Sequence, residues 1–175
     1  MKQNRAKLDL VPISLMNDKD WEDYYYIGKD RIEDSSENDK IQEFKNQRIS
    51  QNESAPSWVS INEFLLKYKN ESIGWLASFE SENLSFISDT IYDDIPNEVL
   101  KALLIEISEI MWKCNREFAL FSTSNVATCN KLKLLDAELF DESEREKQDP
   151  QFKLNREFIK AMLEKSSMLG SRKNV

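Results

Sequence analysis

Apolar positions recur along this chain at two spacings, and the switches between them mark its elements. Leu8, Leu10, Val11, Ile13 and Leu15 predict a short first strand over residues 8–15. Asn17 or Asp18 then caps a helix whose start gathers Asp18, Asp20, Glu22 and Asp23 near the positive end of its dipole. Trp21, Tyr24, Tyr25, Gly28 and Ile32 keep near-helical spacing. Residues 34–38 read as a break, Ile41, Phe44 and Ile49 as a second, more polar helix, and 51–57 as a loop rich in Ser, Asn and Pro.

The clearest β signal follows, over 58–68, with Trp58 and Ser60 and then Phe64, Leu66 and Tyr68 in alternation. Asn70-Glu71-Ser72 suits a turn, 73–79 returns as a strand, and the polar turn 80–83 leads into 84–91. Three consecutive strands joined by short polar turns form an antiparallel meander. The period then becomes helical. Pro96 stands near the start of a helix over 96–115, where its missing N–H costs nothing. Leu100, Leu103, Leu104, Ile107, Met111 and Cys114 make its core-facing stripe. Residues 117–123 hold a short apolar run, Phe118 to Phe121, as in a strand buried on both faces. Asn125 caps a helix over 125–136 that carries Thr128, Leu132 and Leu135. Residues 138–140 and 152–154 predict two closing strands around the charged segment 141–149. Asn155 caps a last helix with Phe158, Ile159, Met162 and Leu163, and the tail from Ser166 is expected to be flexible. The organisation expected is one domain over 1–165 and a tail over 166–175.

Charge and residue usage narrow the function. The 32 Asp and Glu against 24 Lys and Arg give a net charge of −8, which argues against non-specific nucleic-acid binding. No apolar run approaches the roughly 20 residues of a membrane span, and the polar start lacks a signal-peptide core. A cytoplasmic protein with no membrane partner is expected. The chain has no histidine. That excludes Ser-His-Asp and Cys-His machinery and His-containing zinc sites, and leaves proton transfer to carboxylates, Tyr, Lys, Cys, backbone or water. Cys114 and Cys129 lack a partner motif and read as buried thiols, although two cysteines can pair. Trp21 with Tyr24, Tyr25 and Tyr26 reads as core or as a ligand-stacking cluster. Residues 141–149 lack the Gly and ligand spacing of a calcium loop, so a solvated turn is the reading and no metal is expected.

The element order is strand, two helices, three antiparallel strands, helix, strand, helix and two strands. It resembles the GNAT superfamily of N-acetyltransferases over nearly the whole chain. The more specific match is Asn125-x-x-Thr128 followed by Leu132 and Leu135, which is similar to the family's Asn-x-x-Ser, Leu, Leu-Gly-Phe pattern; Asp136-Ala137 replaces Gly-Phe. Asn125 also reads as an ordinary helix cap. The resemblance implies an α/β (α+β) fold: a mixed, mostly antiparallel sheet of six or seven strands, helices on both faces and an added C-terminal helix. It further implies that strands 84–91 and 117–123 are adjacent, parallel and divergent at one end, and that their gap receives the pantetheine arm of acetyl-CoA. Cofactor contacts then fall to Ile87, Ser88 and Asp89 on the first strand and to Asn125 and Thr128 on the helix.

The family's phosphate loop, Gln/Arg-x-x-Gly-x-Gly/Ala, corresponds to residues 95–100, which hold no glycine and no basic residue. Pro96 removes one N–H donor, and Asp93, Asp94 and Glu98 bring negative charge. Two like charges about 4 Å apart repel by roughly 4 kcal/mol at an effective dielectric near 20. The fourth helix has no Tyr to serve as an acid, and Glu80 or Glu82 is the candidate base beside its reading as a turn residue. Two functions follow. One is acyl transfer from acyl-CoA to a small-molecule or peptide amine by direct attack. The other is a catalytically silent binding module on the same fold, with a protein partner and no acetyl-CoA binding.

Overall fold

A computed structural model of the protein describes residues 7–28, 37–140 and 150–169. Strand β1 (Leu8–Pro12) comes first, and a 3-10 turn, Ile13–Leu15, ends it three residues earlier than the apolar pattern predicts. Helix α1 (Asp18–Gly28) and helix α2 (Glu37–Glu53) follow. At the start of α1, Asn17 Oδ1 accepts the Asp20 N–H and Asp20 Oδ2 accepts the Asn17 N–H, a reciprocal cap. Strands β2 (Ser60–Tyr68), β3 (Glu71–Glu80) and β4 (Leu84–Thr90) form the meander. Trp58 lies outside β2 and is exposed. The β2–β3 hairpin turns on Lys69 and Asn70, both at positive φ, as a two-residue hairpin turn with the sheet's twist requires.

Helix α3 (Asn97–Lys113) has Pro96 as its N-cap and leads to β5 (Phe118–Thr123). Helix α4 (Val126–Leu134), β6 (Glu138–Leu139), β7 (Gln151–Asn155) and α5 (Arg156–Leu169) complete the chain. Asn155 caps α5 by accepting the Phe158 N–H at 2.7 Å. The helix runs into the span expected as a tail. Residues 170–175 and the charged 141–149 segment lie outside the described residues, as does most of the expected break at 34–38. Asn115 and Asp136 take positive φ just after α3 and α4. The bonds Arg116 N–H to Met111 O and Ala137 N–H to Leu132 O close both helix ends in the same way. Asp136 thus fills the left-handed position where the resembling family places glycine.

The seven strands are ordered β1-β2-β3-β4-β5-β7-β6, antiparallel throughout except for the parallel β4–β5 pair. This is the mixed, mostly antiparallel sheet expected. Helices cover both faces. Val99, Leu103, Leu104 and Ile107 of α3, Leu132 of α4 and Ile159 of α5 pack on Leu76, Phe86, Phe121 and Phe152. Phe86, Phe121 and Phe152 stand in register across β4, β5 and β7 and are all buried. Trp21 and Tyr24 of α1, with Phe44 of α2, pack on Leu65 and Trp75 on the other face. Most of the aromatic cluster is therefore core: Trp21, Tyr24 and Tyr25 are buried, and Phe44 meets these two tyrosines edge-on, whereas Tyr26 is exposed. Cys114 and Cys129 form no disulfide; Cys129 is buried as expected and Cys114 only half-buried. No helix among the described residues is long and apolar enough to cross a membrane, and none of their acidic and cysteine side chains group as a metal site.

One buried polar cluster fastens α1 and α2 to the sheet. Glu63 on β2 accepts from Tyr24 Oη at 2.6 Å and from Arg48 Nε at 3.1 Å. Arg48 Nη2 also donates to Tyr24 Oη at 3.2 Å. Burial first, and then the Glu63 carboxylate, push the Tyr24 phenol above its ordinary value of 10.0. The folded protein keeps that proton where the unfolded chain has lost it. Stability from this group is complete below the unfolded value and falls as pH rises past it. We expect the urea midpoint of the parent to fall more steeply than that of Tyr24→Phe between pH 9 and about 11. Parallel pH profiles for the two proteins refute the assignment.

Candidate active site

The site begins where β4 outruns β5. Ser88 and Thr123 are the last registered pair of the two strands. Ile91 donates its N–H to Ile73 O of β3 at 2.8 Å. Backbone groups alternate in direction along a strand, so those of Thr90 face the other way, into the space beyond the end of β5. The parallel pair therefore opens at one end.

The protein's own side chains reach across this opening. Asp89 folds back so that Oδ1 accepts the Thr90 N–H at 2.8 Å, while its Oδ2 accepts from Ser124 Oγ at 2.6 Å. Thr90 Oγ1 is buried and has no hydrogen-bond partner. An unsatisfied buried hydroxyl costs about 1–3 kcal/mol. The approach of β3 to this end of β4 is close. A Cβ on Gly74 would lie 2.3 Å from Asp89 O and 3.0 Å from Thr90 Cα, so only glycine fits there.

The connection from β4 to α3 is held from α4. Asn125 accepts the Thr128 N–H on Oδ1 at 2.8 Å, which caps α4. Its amide Nδ2 donates to Tyr92 O at 2.6 Å and to Asp93 O at 3.4 Å. Lys131 Nζ lies 2.6 Å from Asp94 Oδ1 and also donates to Ile95 O. Ile95 itself is buried. The loop's carboxylates turn outward: the Asp94 and Glu98 side chains are 70% and 64% exposed, and Glu98 lies 3.7 Å from Lys69.

The residues chosen from sequence divide accordingly. Asp89 and Asn125 stand at the opening, with Thr128 buried behind the cap it completes. Ser88 spends its hydroxyl on Trp75 O at 2.9 Å, and its backbone lies in the last registered pair with Thr123, so the exposed strand edge begins beyond it. The Ile87 side chain is 40% exposed and stands on the sheet face opposite Phe86. Glu80 pairs with Arg116 at 3.5 Å, and Arg116 also donates to Glu82 O. Both carboxylates belong to the far end of β4, roughly 20 Å from Thr90 along the strand. Thr90, Ser124 and Lys131 were not legible as site residues. The Lys131–Ile95 bond spans 36 positions, and no periodicity announces such a contact. A shallow groove of about 410 Å3 on α3, lined by Ser108, Glu109, Trp112 and Lys113, is separate from this opening.

With this geometry in hand, comparison with solved structures defines the fold: the chain has the GNAT fold, in a divergent form. It is similar to Campylobacter jejuni N-acetyltransferase PseH in complex with acetyl coenzyme A, with a TM-score of 0.56 and 14% identity over 85% of this chain and 99% of that one. It is also similar to FdhC, a nucleotide-linked sugar GNAT, with a TM-score of 0.55 and 12% identity over 91% and 92% of the two chains. A third similar structure is the aminoglycoside N-acetyltransferase AAC(6')-Ib11, with a TM-score of 0.53 and 11% identity over 87% and 98%. No protein-family model matches the sequence, and no curated protein sequence matches it either.

Proposed function

We propose that the chain is an acyl-CoA-dependent N-acyltransferase that moves an acetyl or other acyl group to a small-molecule or peptide amine. The observation that carries this reading is the β4–β5 opening, with Thr90 at its edge holding an inward N–H and an unpartnered buried hydroxyl. These groups fit the amide-bearing arm of an acyl-CoA, which offers both donors and acceptors. One of the similar structures holds acetyl coenzyme A. Others are named for nucleotide-linked sugar and aminoglycoside chemistry.

Bound acyl-CoA supplies an activated thioester carbonyl. The chain's own part is to bind, orient and shield. Thr90 N–H and Oγ1 hold the arm once Asp89 swings off the N–H. The displaced Asp89 carboxylate remains at the opening as an anchor for a cationic amine, and the net charge of −8 favours that approach. Neither cysteine is an activated nucleophile. Cys129 is buried with its thiol turned to Thr123 O. Burial, and then the Glu80 carboxylate, push the Cys114 thiol above its ordinary value. Direct attack then needs no covalent enzyme intermediate: the ammonium gives one proton to water, the free amine forms the C–N bond as the thioester C–S bond breaks, and CoA leaves as the thiol with the second amine proton.

The second reading is a silent module in which the bonds of Asp89 with Ser124 and of Asn125 with Tyr92 never give way to a ligand. Calorimetry with acetyl-CoA separates the two. The transferase reading expects micromolar binding, followed by release of CoA when primary amines are added. No heat at millimolar acetyl-CoA establishes the silent module instead.

A further inference from the structure

The 93–98 loop contains no basic residue, yet an ammonium group reaches it from another element. Lys131 Nζ, on α4, touches the Asp94 carboxylate and the Ile95 carbonyl. We propose that Lys131 is the phosphate-binding cation of the acyl-CoA site, and that Asp94 occupies it as an internal stand-in for the phosphate. The inference rests on the acyltransferase reading above.

The two partners of the ion pair are unequally buried. The Lys131 side chain is 24% exposed and that of Asp94 is 70% exposed. The carboxylate can leave into water with little loss of hydration. The ammonium cannot follow without giving up the Ile95 carbonyl and its partial burial. The exchangeable side of the pair is thus the anion, and the cation stays where it is.

Carboxylate and phosphate oxygens make the same kind of bond to an ammonium, a short charge-assisted one. Phosphate brings more charge and more acceptor oxygens, so it can replace Asp94 at the same nitrogen. The other acidic groups do not stand in the way. The Glu98 side chain is 64% exposed and near Lys69, and Asp93 is exposed. Asn125 completes the arrangement by holding Tyr92 and Asp93 through their carbonyls while Lys131 holds Ile95. Through its cap and Lys131, α4 therefore grips the chain over residues 92–95 and presents the only ammonium contact that the loop backbone makes among the described residues.

The sign of the prediction is opposite for two neighbours. Removing an acid strengthens binding, and removing a base weakens it. The experiment is calorimetric titration of the parent, Asp94→Asn, Lys131→Met and Lys131→Arg with coenzyme A and, separately, with pantetheine, which has no phosphate. Asp94→Asn is expected to bind coenzyme A about threefold more tightly or better, the scale of one exposed ion pair. Lys131→Met is expected to bind it about tenfold more weakly or worse, the scale of one charge-assisted hydrogen bond, and Lys131→Arg retains most of the affinity. Pantetheine binding is expected to be the same in all four proteins. Circular dichroism on each variant confirms that the loop change has not unfolded the chain. A parent that binds coenzyme A and a folded Lys131→Met that binds it equally well overturn the inference and leave the transferase reading intact. Absence of binding in the parent with binding in Asp94→Asn supports Lys131 as the anion site while overturning the transferase reading for the parent, whose own carboxylate then keeps the site closed. Absence of binding in both overturns the inference together with the transferase reading.

Discussion

Phe121→Ala is expected to lower the stability of the protein by about 3–5 kcal/mol, the usual cost of deleting a buried ring and leaving its cavity. Phe121 is 1% exposed and sits between Phe86 and Phe152 in one row across three strands. Neighbouring β4 and β5 meet in parallel for only four registered pairs, from Ser85–Leu120 to Ser88–Thr123, and the Phe86–Phe121 contact is one of them. Such a short ladder depends on side-chain packing more than on its backbone bonds. Urea denaturation of the variant measures the loss. A loss below about 1 kcal/mol shows that the row repacks and that the parallel pair is held by other contacts.

Arg48→Met is expected to cost about 2–3 kcal/mol. Breaking a buried ion pair typically costs about 3–5 kcal/mol because the surviving charge is left without its partner. Glu63 is 5% exposed and retains only Tyr24 after the substitution, but the Arg48 side chain is 28% exposed, which reduces the figure through solvent screening. In a Tyr24→Phe background, which leaves no buried phenol without a partner, the double variant Arg48→Met/Glu63→Leu is expected to recover most of the loss, since an apolar cluster in place of an ionic one leaves no buried charge. Equal instability of the single and double variants shows instead that the arginine stem packs α2 against the sheet and that its charge is incidental.

The regular elements were legible because each carries its own period. The stripe Leu100, Leu103, Leu104, Ile107 and Met111 became the buried face of α3, and the three strands of the meander lie where alternation and polar turns placed them. Errors fall where a local apolar residue has no partner in space. Leu15 and Trp58 extend their apolar runs, yet both are exposed and outside the strands. Topology needed more than periodicity. The parallel β4–β5 pair was expected from the order of elements and from Asn125-x-x-Thr128. The departure at Asp136 proved local, because aspartate takes the same left-handed conformation at φ 61°.

The site divides along sequence separation. The Asn125–Thr128 cap joins positions three apart and could be read directly. Ser124 with Asp89 and Tyr24 with Glu63 join positions 35 and 39 apart. Charge counted within residues 93–98 described that loop as purely acidic, since Lys131 belongs to it in space and not in sequence.

Gly74 extends this point to a residue that touches nothing a ligand would touch. It lies on β3, behind the strand that borders the opening, and its missing Cβ lets β3 lie against the Asp89 carbonyl. Any side chain there has to push back the backbone that aims the Thr90 N–H and the Asp89 carboxylate. The shape of the opening is thus inherited in part from a position outside it. Comparing or redesigning such proteins only by the residues that line the opening would miss one of its determinants. Changing glycine to alanine at this position, a routine attempt to rigidify a strand, would displace the edge of the site and cost stability together.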